Sequence, residues 1–277
     1  MRVLVTGSSG HIGGAISARL ALRHQVVGLD LRPGPLTSLV GDICDSRLLA
    51  ASCQGFEAVV HTASLHAPDL GLRSVEDFRR TNIDGTRRLL AACGEAGISR
   101  FVYTSTTSLY GHALVPAGSE AVWVTEELGP EPRDIYDETK LEAEQACAEA
   151  ARGGMTCISL RMSRCFPEHP RLIAIYRLYR GVDAADVAQA HELALAPGLD
   201  GFQVFNISAR SPFVIGDCKA LMSEPRTVLQ ARHPWALPEF ARRGWELPQS
   251  IDRVYVVDKA VAGLGYRPDH DFESLFR

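Results

Sequence analysis

The chain has 277 residues, of which 46% are hydrophobic, and its formal net charge is −4. This composition supports a substantial core but provides no global field to attract nucleic acid or an anionic membrane, so we expect a small-molecule partner. The seven cysteines form neither a Cys-x-x-Cys pair nor a cluster with zinc-ligand spacing, and no apolar run approaches the ~18 residues that span a bilayer. We therefore expect no metal site, no membrane or nucleic-acid partner, and a cytoplasmic location in which the thiols stay reduced.

Short apolar strands alternate with helices through the first 160 residues. The strands are predicted at 3–6, 26–30, 58–61, 100–105 and 155–160, and the helices at 12–22, 75–96 and 136–152. Because the strands are almost continuously apolar, we expect a parallel sheet that is covered on both faces. The pattern therefore predicts an α/β protein with a Rossmann-type, doubly wound parallel sheet.

This rhythm changes after Leu160. Two prolines and five arginines fall between 161 and 180, a helix is predicted at 183–196, and a late strand at 201–207 is predicted to rejoin the sheet. Short helices separated by prolines follow to the end of the chain. We expect a Rossmann domain at 1–161, joined by 201–211, and a small C-terminal substrate-binding lobe formed by 162–200 and 212–277.

The first strand ends in a glycine-rich turn at which the first helix begins. Gly7, Gly10 and Gly13 are spaced so that the backbone can approach a pyrophosphate closely, and the helix dipole would stabilise that anion. Asp30 ends the second strand 23 residues after Gly7, where a carboxylate can accept hydrogen bonds from the adenosine ribose. A ribose phosphate would be repelled there, so the sequence predicts NAD rather than NADP, although Arg32 leaves the phosphorylated cofactor open.

Tyr136 and Lys140 stand four residues apart on a predicted helix, which places them on one face about one turn apart. A free tyrosine titrates near ~10, and lowering its pKa by ~3 units needs ~4 kcal/mol of preferential stabilisation of the phenolate. An adjacent ammonium group can supply much of that stabilisation. Together with the glycine-rich turn, the pair predicts hydride-transfer chemistry with Tyr136 as the base or acid.

Several ordered motifs extend this pattern along most of the chain. They are Thr6-Gly7-x-x-Gly10-x-x-Gly13, Gly41-Asp42-Ile43, Val59-Val60-His61-x-Ala63, Asn82-x-x-Gly85-Thr86, Thr104 to Gly111, the Tyr136/Lys140 pair, Asp186-Val187-Ala188, and the segments 250–253 and 264–268. In these motifs the chain resembles the extended short-chain dehydrogenase/reductases of the NAD-dependent epimerase/dehydratase family. That superfamily includes nucleotide-sugar epimerases, dehydratases and related sugar dehydrogenases.

The resemblance implies roles for particular residues. Asp42 and Ile43 would bracket the adenine, His61 to Ala63 would line the cofactor, and Asn82 would lie beneath it. Thr106, with Ser105 as the neighbouring alternative, would share the proton-transfer network of Tyr136, and Lys140 would bind the nicotinamide ribose. The residues expected at the cofactor are Gly7, Gly10, His11, Ile12, Gly13, Asp30, Asp42, Ile43, His61, Ala63, Asn82, Tyr136 and Lys140.

The segment after the strand at 155–160 departs from the family pattern. Arg164 replaces an asparagine usual in nucleotide-sugar enzymes, the following Gly-Pro is missing, and Asp186 comes only 19 positions after Pro167. A lobe this short favours a substrate smaller than a nucleotide sugar. Because a guanidinium binds carboxylates and phosphates in bidentate fashion, we expect at least one of Arg164 and Arg177 to touch an anionic substrate, with Thr106 and Thr107 also contacting the substrate. The local pattern Arg161-x-x-x-Cys165 also resembles uronate dehydrogenases.

These observations predict an NAD-dependent oxidoreductase that takes hydride from a hydroxyl-bearing carbon of a sugar or sugar-acid derivative. Two alternatives stay open at this point: a nucleotide-sugar epimerase or dehydratase that retains NAD, and a non-catalytic dinucleotide-sensing regulator. The resemblance further implies a homodimer in which the helices at 75–96 and 136–152 form a four-helix interface.

Overall fold

The computed structural model describes residues 1–277 and contains a seven-stranded sheet whose strands are all parallel. The strands of this sheet lie in the order β3-β2-β1-β4-β5-β7-β8, and β6 pairs with β9 in a separate two-stranded sheet. The strands are β1 (Arg2–Thr6), β2 (Gln25–Asp30), β3 (Thr37–Val40), β4 (Ala58–His61), β5 (Arg100–Thr106), β6 (Val122–Val124), β7 (Thr156–Met162), β8 (Phe202–Ile207) and β9 (Arg253–Tyr255). The predicted Rossmann-type α/β fold is confirmed.

Eleven α-helices surround the sheets. They are α1 (His11–Leu20), α2 (Ser46–Ser52), α3 (Val75–Phe78), α4 (Gly85–Glu95), α5 (Ile135–Arg152), α6 (Pro170–Arg177), α7 (Ala184–Ala194), α8 (Cys218–Ser223), α9 (Pro225–Arg232), α10 (Ala236–Arg242) and α11 (Asp258–Leu264). Short 3₁₀ turns occur at Ala67–Asp69, Thr107–Tyr110, His112–Leu114, Ile215–Asp217 and Glu273–Phe276. None of the helices combines the length and apolarity that crossing a bilayer requires.

The strand order reverses at β1. The chain moves from β1 through β2 to β3 in one direction, and then returns past β1 to β4 and continues the other way. In open α/β sheets, ligands bind outside the carboxyl ends of the strands at such a reversal. The topology therefore directs attention to the ends of β1, β4 and β5.

Each face of the sheet buries its own apolar core. One core lies between the sheet and α1, α7 and α11, and the other lies beneath α2, α4 and α5. We expected residues 162–200 to belong to the lobe, but α7 packs along α1 because Val187, Ala188 and Ala190 present a small apolar face to it. Part of the expected lobe thus covers the Rossmann sheet.

A third core forms the C-terminal lobe. It joins α6, α8, α9 and α10 to the β6/β9 sheet, with Phe240 and Phe272 among its fully buried rings. Strand β6 falls within the 1–161 segment that we expected to be purely Rossmann domain, yet it pairs with β9. This pairing is between segments distant in the sequence, so local patterning did not reveal it.

A π-helical stretch at Arg79–Asp84 connects α3 to α4 within the predicted helix at 75–96. It contains Asn82, whose side chain is buried and hydrogen-bonds the N–H of Leu65 at 2.8 Å and the C=O of Leu65 at 3.0 Å. π-Helical turns of this kind often occur beside functional sites. Here the stretch fixes the loop that follows β4.

Candidate active site

A cleft of about 1040 Å³ opens at the carboxyl ends of β1, β2, β4, β5 and β7, and residues of the lobe form its far wall. It brings together the glycine-rich turn, Asp30, Thr106, Tyr136 and Lys140, all of which line it. Chain topology alone accounts for this convergence, because parallel strands end at the same edge of the sheet.

Two glycines of the turn are required by packing. Gly7 has φ of +75°, and a Cβ there would lie 2.5 Å from Oγ1 of Thr62. A Cβ on Gly13 would lie 2.0 Å from the carbonyl oxygen of Gly7, so helix and turn could not approach as they do. These glycines let the turn pass close to the end of β4, which clears space at the cleft.

The first turn of α1 faces the cleft with its backbone N–H groups free of side-chain caps. Gly10 is the N-cap residue without a capping hydrogen bond, no acidic residue lies in the first turn, and His11, Ile12 and Gly13 line the cleft. The first N–H groups of a helix have no intrahelical partner and attract anions. The turn therefore has the geometry and polarity that suit a pyrophosphate.

Asp30 lies at the end of β2 beside this turn. Its carboxylate accepts hydrogen bonds from the N–H of Ser9 at 3.0 Å and the N–H of Arg32 at 2.9 Å. These bonds fix the carboxylate at the cleft edge, where it suits ribose hydroxyl groups. Arg32 also lines the cleft, so the structure retains the feature that left NADP open.

Asp42 and Ile43, which we expected to bracket the adenine, also line the cleft. The Asp42 carboxylate accepts a hydrogen bond from the N–H of Cys44 at 2.8 Å and forms an ion pair with Arg80. Burial works to raise the pKa of Asp42, but these hydrogen bonds and the charge of Arg80 lower it below its ordinary value. Asp42 is thus a fixed anion.

Two residues expected at the cofactor do not line the cleft. His61 is fully buried between Oγ1 of Thr6 (2.6 Å from Nδ1) and Oγ1 of Thr86 (2.9 Å from Nε2). Burial, and secondarily the charge of Lys140, lowers the pKa of His61 to about 3, so its ring is neutral. The side chain of Asn82 hydrogen-bonds the backbone of Leu65 instead. Ala63 does line the cleft. Because side chains alternate between the faces of a strand, His61 points into the core beneath α4.

Tyr136 lies in the first turn of α5, which Asp134 caps by accepting a hydrogen bond from the N–H of Asp137 at 3.0 Å. Burial raises the pKa of Tyr136 to about 12; hydrogen bonding with Thr106 acts in the opposite direction, and the charges of Asp137 and Asp134 add to the rise. We expected Lys140 to lower the pKa of Tyr136. Within the folded chain, burial dominates and the pKa of Tyr136 stays above its ordinary value.

Lys140 is buried one turn further along α5. Its Nζ donates a hydrogen bond to the carbonyl oxygen of Thr104 at 2.7 Å and lies 4.3 Å from the centre of the Tyr103 ring. Burial lowers the pKa of Lys140 to about 7, although the charge of Glu144 acts to raise it. A buried amine with a pKa near neutrality is typical of functional sites.

Hydroxyl-bearing residues at the end of β5 line the same cleft as Tyr136. The Thr106 side chain accepts a hydrogen bond from the N–H of Ser108 at 3.1 Å, and Thr107 follows it along the cleft wall. Ser105 also lines the cleft, and its Oγ is buried without a hydrogen-bond partner. Thr106, which hydrogen-bonds Tyr136, can therefore share a proton with it, and Ser105 stays the neighbouring alternative.

The two arginines expected to grip the substrate have different positions. Arg177 is buried outside the cleft, where it donates to the carbonyl oxygen of His270 and, at 2.7 Å, to the carboxylate of Asp183. Because these structural partners use its donors outside the cleft, the structure does not bring Arg177 to the other site residues, and its substrate role stays a prediction. Arg164 does line the cleft, but its Nε and one terminal nitrogen donate to Glu168 at 3.0 and 2.6 Å.

Among the cleft residues on the lobe side, three that carry polar groups had no role predicted from the sequence. Arg180, Arg253 and Tyr255 all line the cleft. Arg180 belongs to the five arginines between 161 and 180, and Arg253 belongs to the C-terminal motif at 250–253. Both therefore stood in segments that the sequence had marked, although neither was given a role. Strand β9, which holds Arg253 and Tyr255, reaches the cleft only through its pairing with β6.

Comparison with known proteins gives matches over most of the chain. A 3-beta-hydroxysteroid dehydrogenase from Mycolicibacterium neoaurum is 35% identical over 175 residues, which cover 58% of this chain and 47% of that protein. The chain spans about half the length of the curated relatives it matches.

Two solved structures share the whole fold. A short-chain dehydrogenase/reductase superfamily protein from Agrobacterium tumefaciens with bound NAD has a TM-score of 0.74 at 22% identity, covering 99% of this chain and 94% of that one. MoeE5 in complex with UDP-glucose and NAD has a TM-score of 0.71 at 25% identity, covering 100% and 96%. The sequence model of the NAD dependent epimerase/dehydratase family matches residues 3–175, more than half of the chain. The chain therefore belongs to the NAD-dependent epimerase/dehydratase family of extended short-chain dehydrogenase/reductases.

Proposed function

We propose that this protein is an NAD-dependent oxidoreductase that takes hydride from a hydroxyl-bearing carbon of a sugar or sugar-acid derivative. The observation that carries the proposal is the convergence of Thr106, Tyr136 and Lys140 on one cleft that also contains the glycine-rich turn. The uncapped first turn of α1 would hold the pyrophosphate, and Asp30 would bind the adenosine ribose. NAD is favoured over NADP because that carboxylate would repel a ribose phosphate.

Three side chains would carry out the proton chemistry. Bound NAD supplies the hydride acceptor. Tyr136 would take the proton of the substrate hydroxyl, and Thr106 would orient the substrate oxygen by hydrogen bonding. Lys140 would stabilise the phenolate through its positive charge while its Nζ stays anchored to the carbonyl of Thr104.

The lobe wall favours a polar substrate. Although one relative is a 3-beta-hydroxysteroid dehydrogenase, the lining of the cleft that contains Tyr136 also includes Arg164, Arg180 and Arg253. A steroid would bury the Arg180 guanidinium, whose Nε has no hydrogen-bond partner, against apolar carbon, which is costly. Sugar hydroxyl and acid groups can hydrogen-bond it instead, and the local similarity to uronate dehydrogenases, which stays a prediction, points the same way.

Net dehydrogenation and epimerisation or dehydration with retained NAD share the first half-reaction. Dehydrogenation is favoured by the short segment between β7 and α7, which leaves little chain to enclose a nucleoside diphosphate. The test is a panel of sugars, uronates, nucleotide sugars and a 3β-hydroxysteroid, each incubated with NAD while absorbance at the NADH band is followed. Stoichiometric NADH release supports a dehydrogenase, whereas product formation without NADH supports the alternative.

A non-catalytic dinucleotide-sensing regulator is the candidate from a different class. Retention of the buried Tyr136/Lys140 pair argues against it, since burying a lysine without a chemical role is destabilising. Tyr136→Phe is expected to abolish turnover and to leave NAD affinity nearly unchanged, because the phenol oxygen serves the proton transfer. Turnover that survives this substitution would refute the proposed mechanism.

The expected homodimer stays a prediction. The outer faces of α4 and α5 expose Arg87, Arg88, Glu138 and Gln145, so such an interface would be largely polar. Light scattering on the purified chain measures the oligomeric state directly.

A further inference from the structure

Arg180 lies in the lobe wall of the cleft with an unused set of hydrogen-bond donors. Its Nε is buried without a hydrogen-bond partner, and the side chain forms no ion pair. Buried polar groups in native structures are nearly always hydrogen-bonded, so an unpaired guanidinium nitrogen at a cleft needs an explanation. A ligand that enters the cleft is the direct one.

The other arginines of this wall are already neutralised. Arg164 is paired with Glu168 through two hydrogen bonds, and Arg253 is paired with Asp252. Arg180 is therefore the one guanidinium at this end of the cleft whose charge no carboxylate balances at ion-pair distance. An oxyanion entering the cleft would meet its complementary charge there.

The Arg180 side chain is held in place before any ligand arrives. Its Cζ lies 4.5 Å from the ring centre of Tyr176 and 5.4 Å from that of Tyr179. Its backbone N–H donates to the carbonyl of Tyr176 at 2.7 Å, and its carbonyl accepts from the N–H of Arg164 at 3.1 Å. A guanidinium that already contacts two aromatic rings loses little freedom when it binds, which favours affinity.

We propose that Arg180 binds an oxyanion of the substrate, a carboxylate or a phosphate, and thereby selects acidic over neutral sugars. This inference rests on the proposed function and specifies its substrate class. Arg164 is paired with Glu168 and Arg253 is paired with Asp252, so both serve as parts of the wall. The anion contact is therefore assigned to Arg180, which pairs with neither acid.

The test compares Arg180→Met and Arg180→Lys with the wild type, using glucose, glucuronate and glucose 6-phosphate with NAD. Arg171→Met is the matched control, because Arg171 is exposed and lies outside the cleft. Arg180→Met is expected to lower kcat/KM for the acidic substrate about 10- to 100-fold, mainly by raising KM, since one charge-assisted contact is lost. Arg180→Lys should recover part of that loss, and Arg171→Met should lose none.

Two further measurements separate this inference from the proposed function. NAD affinity should be the same in all variants, and isothermal titration of the NAD-loaded protein should show the acid preference at equilibrium even without turnover. The preferred acid distinguishes a carboxylate from a phosphate site. Equal binding of neutral and acidic sugars by the wild type, or equal losses for both in Arg180→Met, would overturn the inference. Failure to bind NAD would instead refute the proposed function.

Discussion

Replacing Lys140 by methionine is expected to stabilise the fold while destroying activity. Lys140 is 2% exposed, and no carboxylate lies at ion-pair distance; its polar contact is the carbonyl of Thr104. Methionine has a similar length and no charge, so it can fill the site without the burial cost of an ammonium group. Catalytic groups often lower stability in this way.

The magnitude and its pH dependence follow from the pKa. Burial lowers the pKa of Lys140 from 10.5 to about 7, so between these values the unfolded chain binds the proton that the native state has released. Native stability therefore rises with pH across this window, and the burial cost is fully present below pH 7, at about 4 to 5 kcal/mol. Losing the contacts to Thr104 and Tyr103 offsets part of it, which leaves a net gain of about 2 kcal/mol at pH 6 and nearly none at pH 9.

Urea unfolding followed by tryptophan fluorescence at pH 6 and pH 9 measures this gain, with Lys219→Met as the control because Lys219 is exposed. NADH formation by Lys140→Met should fall at least about 100-fold. A variant that is less stable than the wild type at pH 6, or that gains equally at both pH values, would refute the reasoning about the buried charge.

Three other substitutions test the assignments of the cleft. Gly13→Ala should abolish NAD binding and lower the midpoint of thermal unfolding, because its Cβ would lie 2.0 Å from the Gly7 carbonyl oxygen; Gly94→Ala, a helical position with open space, should stabilise by about 0.5 to 1 kcal/mol. Asp30→Ala should weaken NAD about tenfold in a titration and should not weaken NADP, and an unchanged ratio of the two affinities would contradict the ribose contact. Arg177→Met should cost about 2 kcal/mol in urea unfolding with the substrate KM unchanged, and a raised KM with unchanged stability would restore its predicted substrate role.

Local sequence patterns determined most of the sheet. Six of the seven main strands were predicted to within about two residues, because buried parallel strands are short, apolar and bounded by glycine or polar turns. Strand β3 was missed because it lies at the edge of the sheet and its residues are alternately half-buried and exposed, so it lacks a continuous apolar run. Gly7, Gly13, Tyr136 and Lys140, which were predicted as site residues, lie at one cleft, because their spacing within single elements and the parallel topology bring them there.

The partners of individual side chains were decided by the tertiary structure. Arg177 donates a hydrogen bond to the carbonyl of His270, which is 93 residues away in the sequence. Arg180 follows Arg177 by three residues, yet its Nε has no hydrogen-bond partner at the cleft. His61 carries the family motif, yet it faces the core between two threonines. The sequence alone determined the fold, the glycine-rich turn and the spacing of Tyr136 and Lys140, since these depend on local periodicity and chain direction. Only the folded chain decided which arginine is free to meet a substrate, because that depends on which distant groups pack within hydrogen-bond distance.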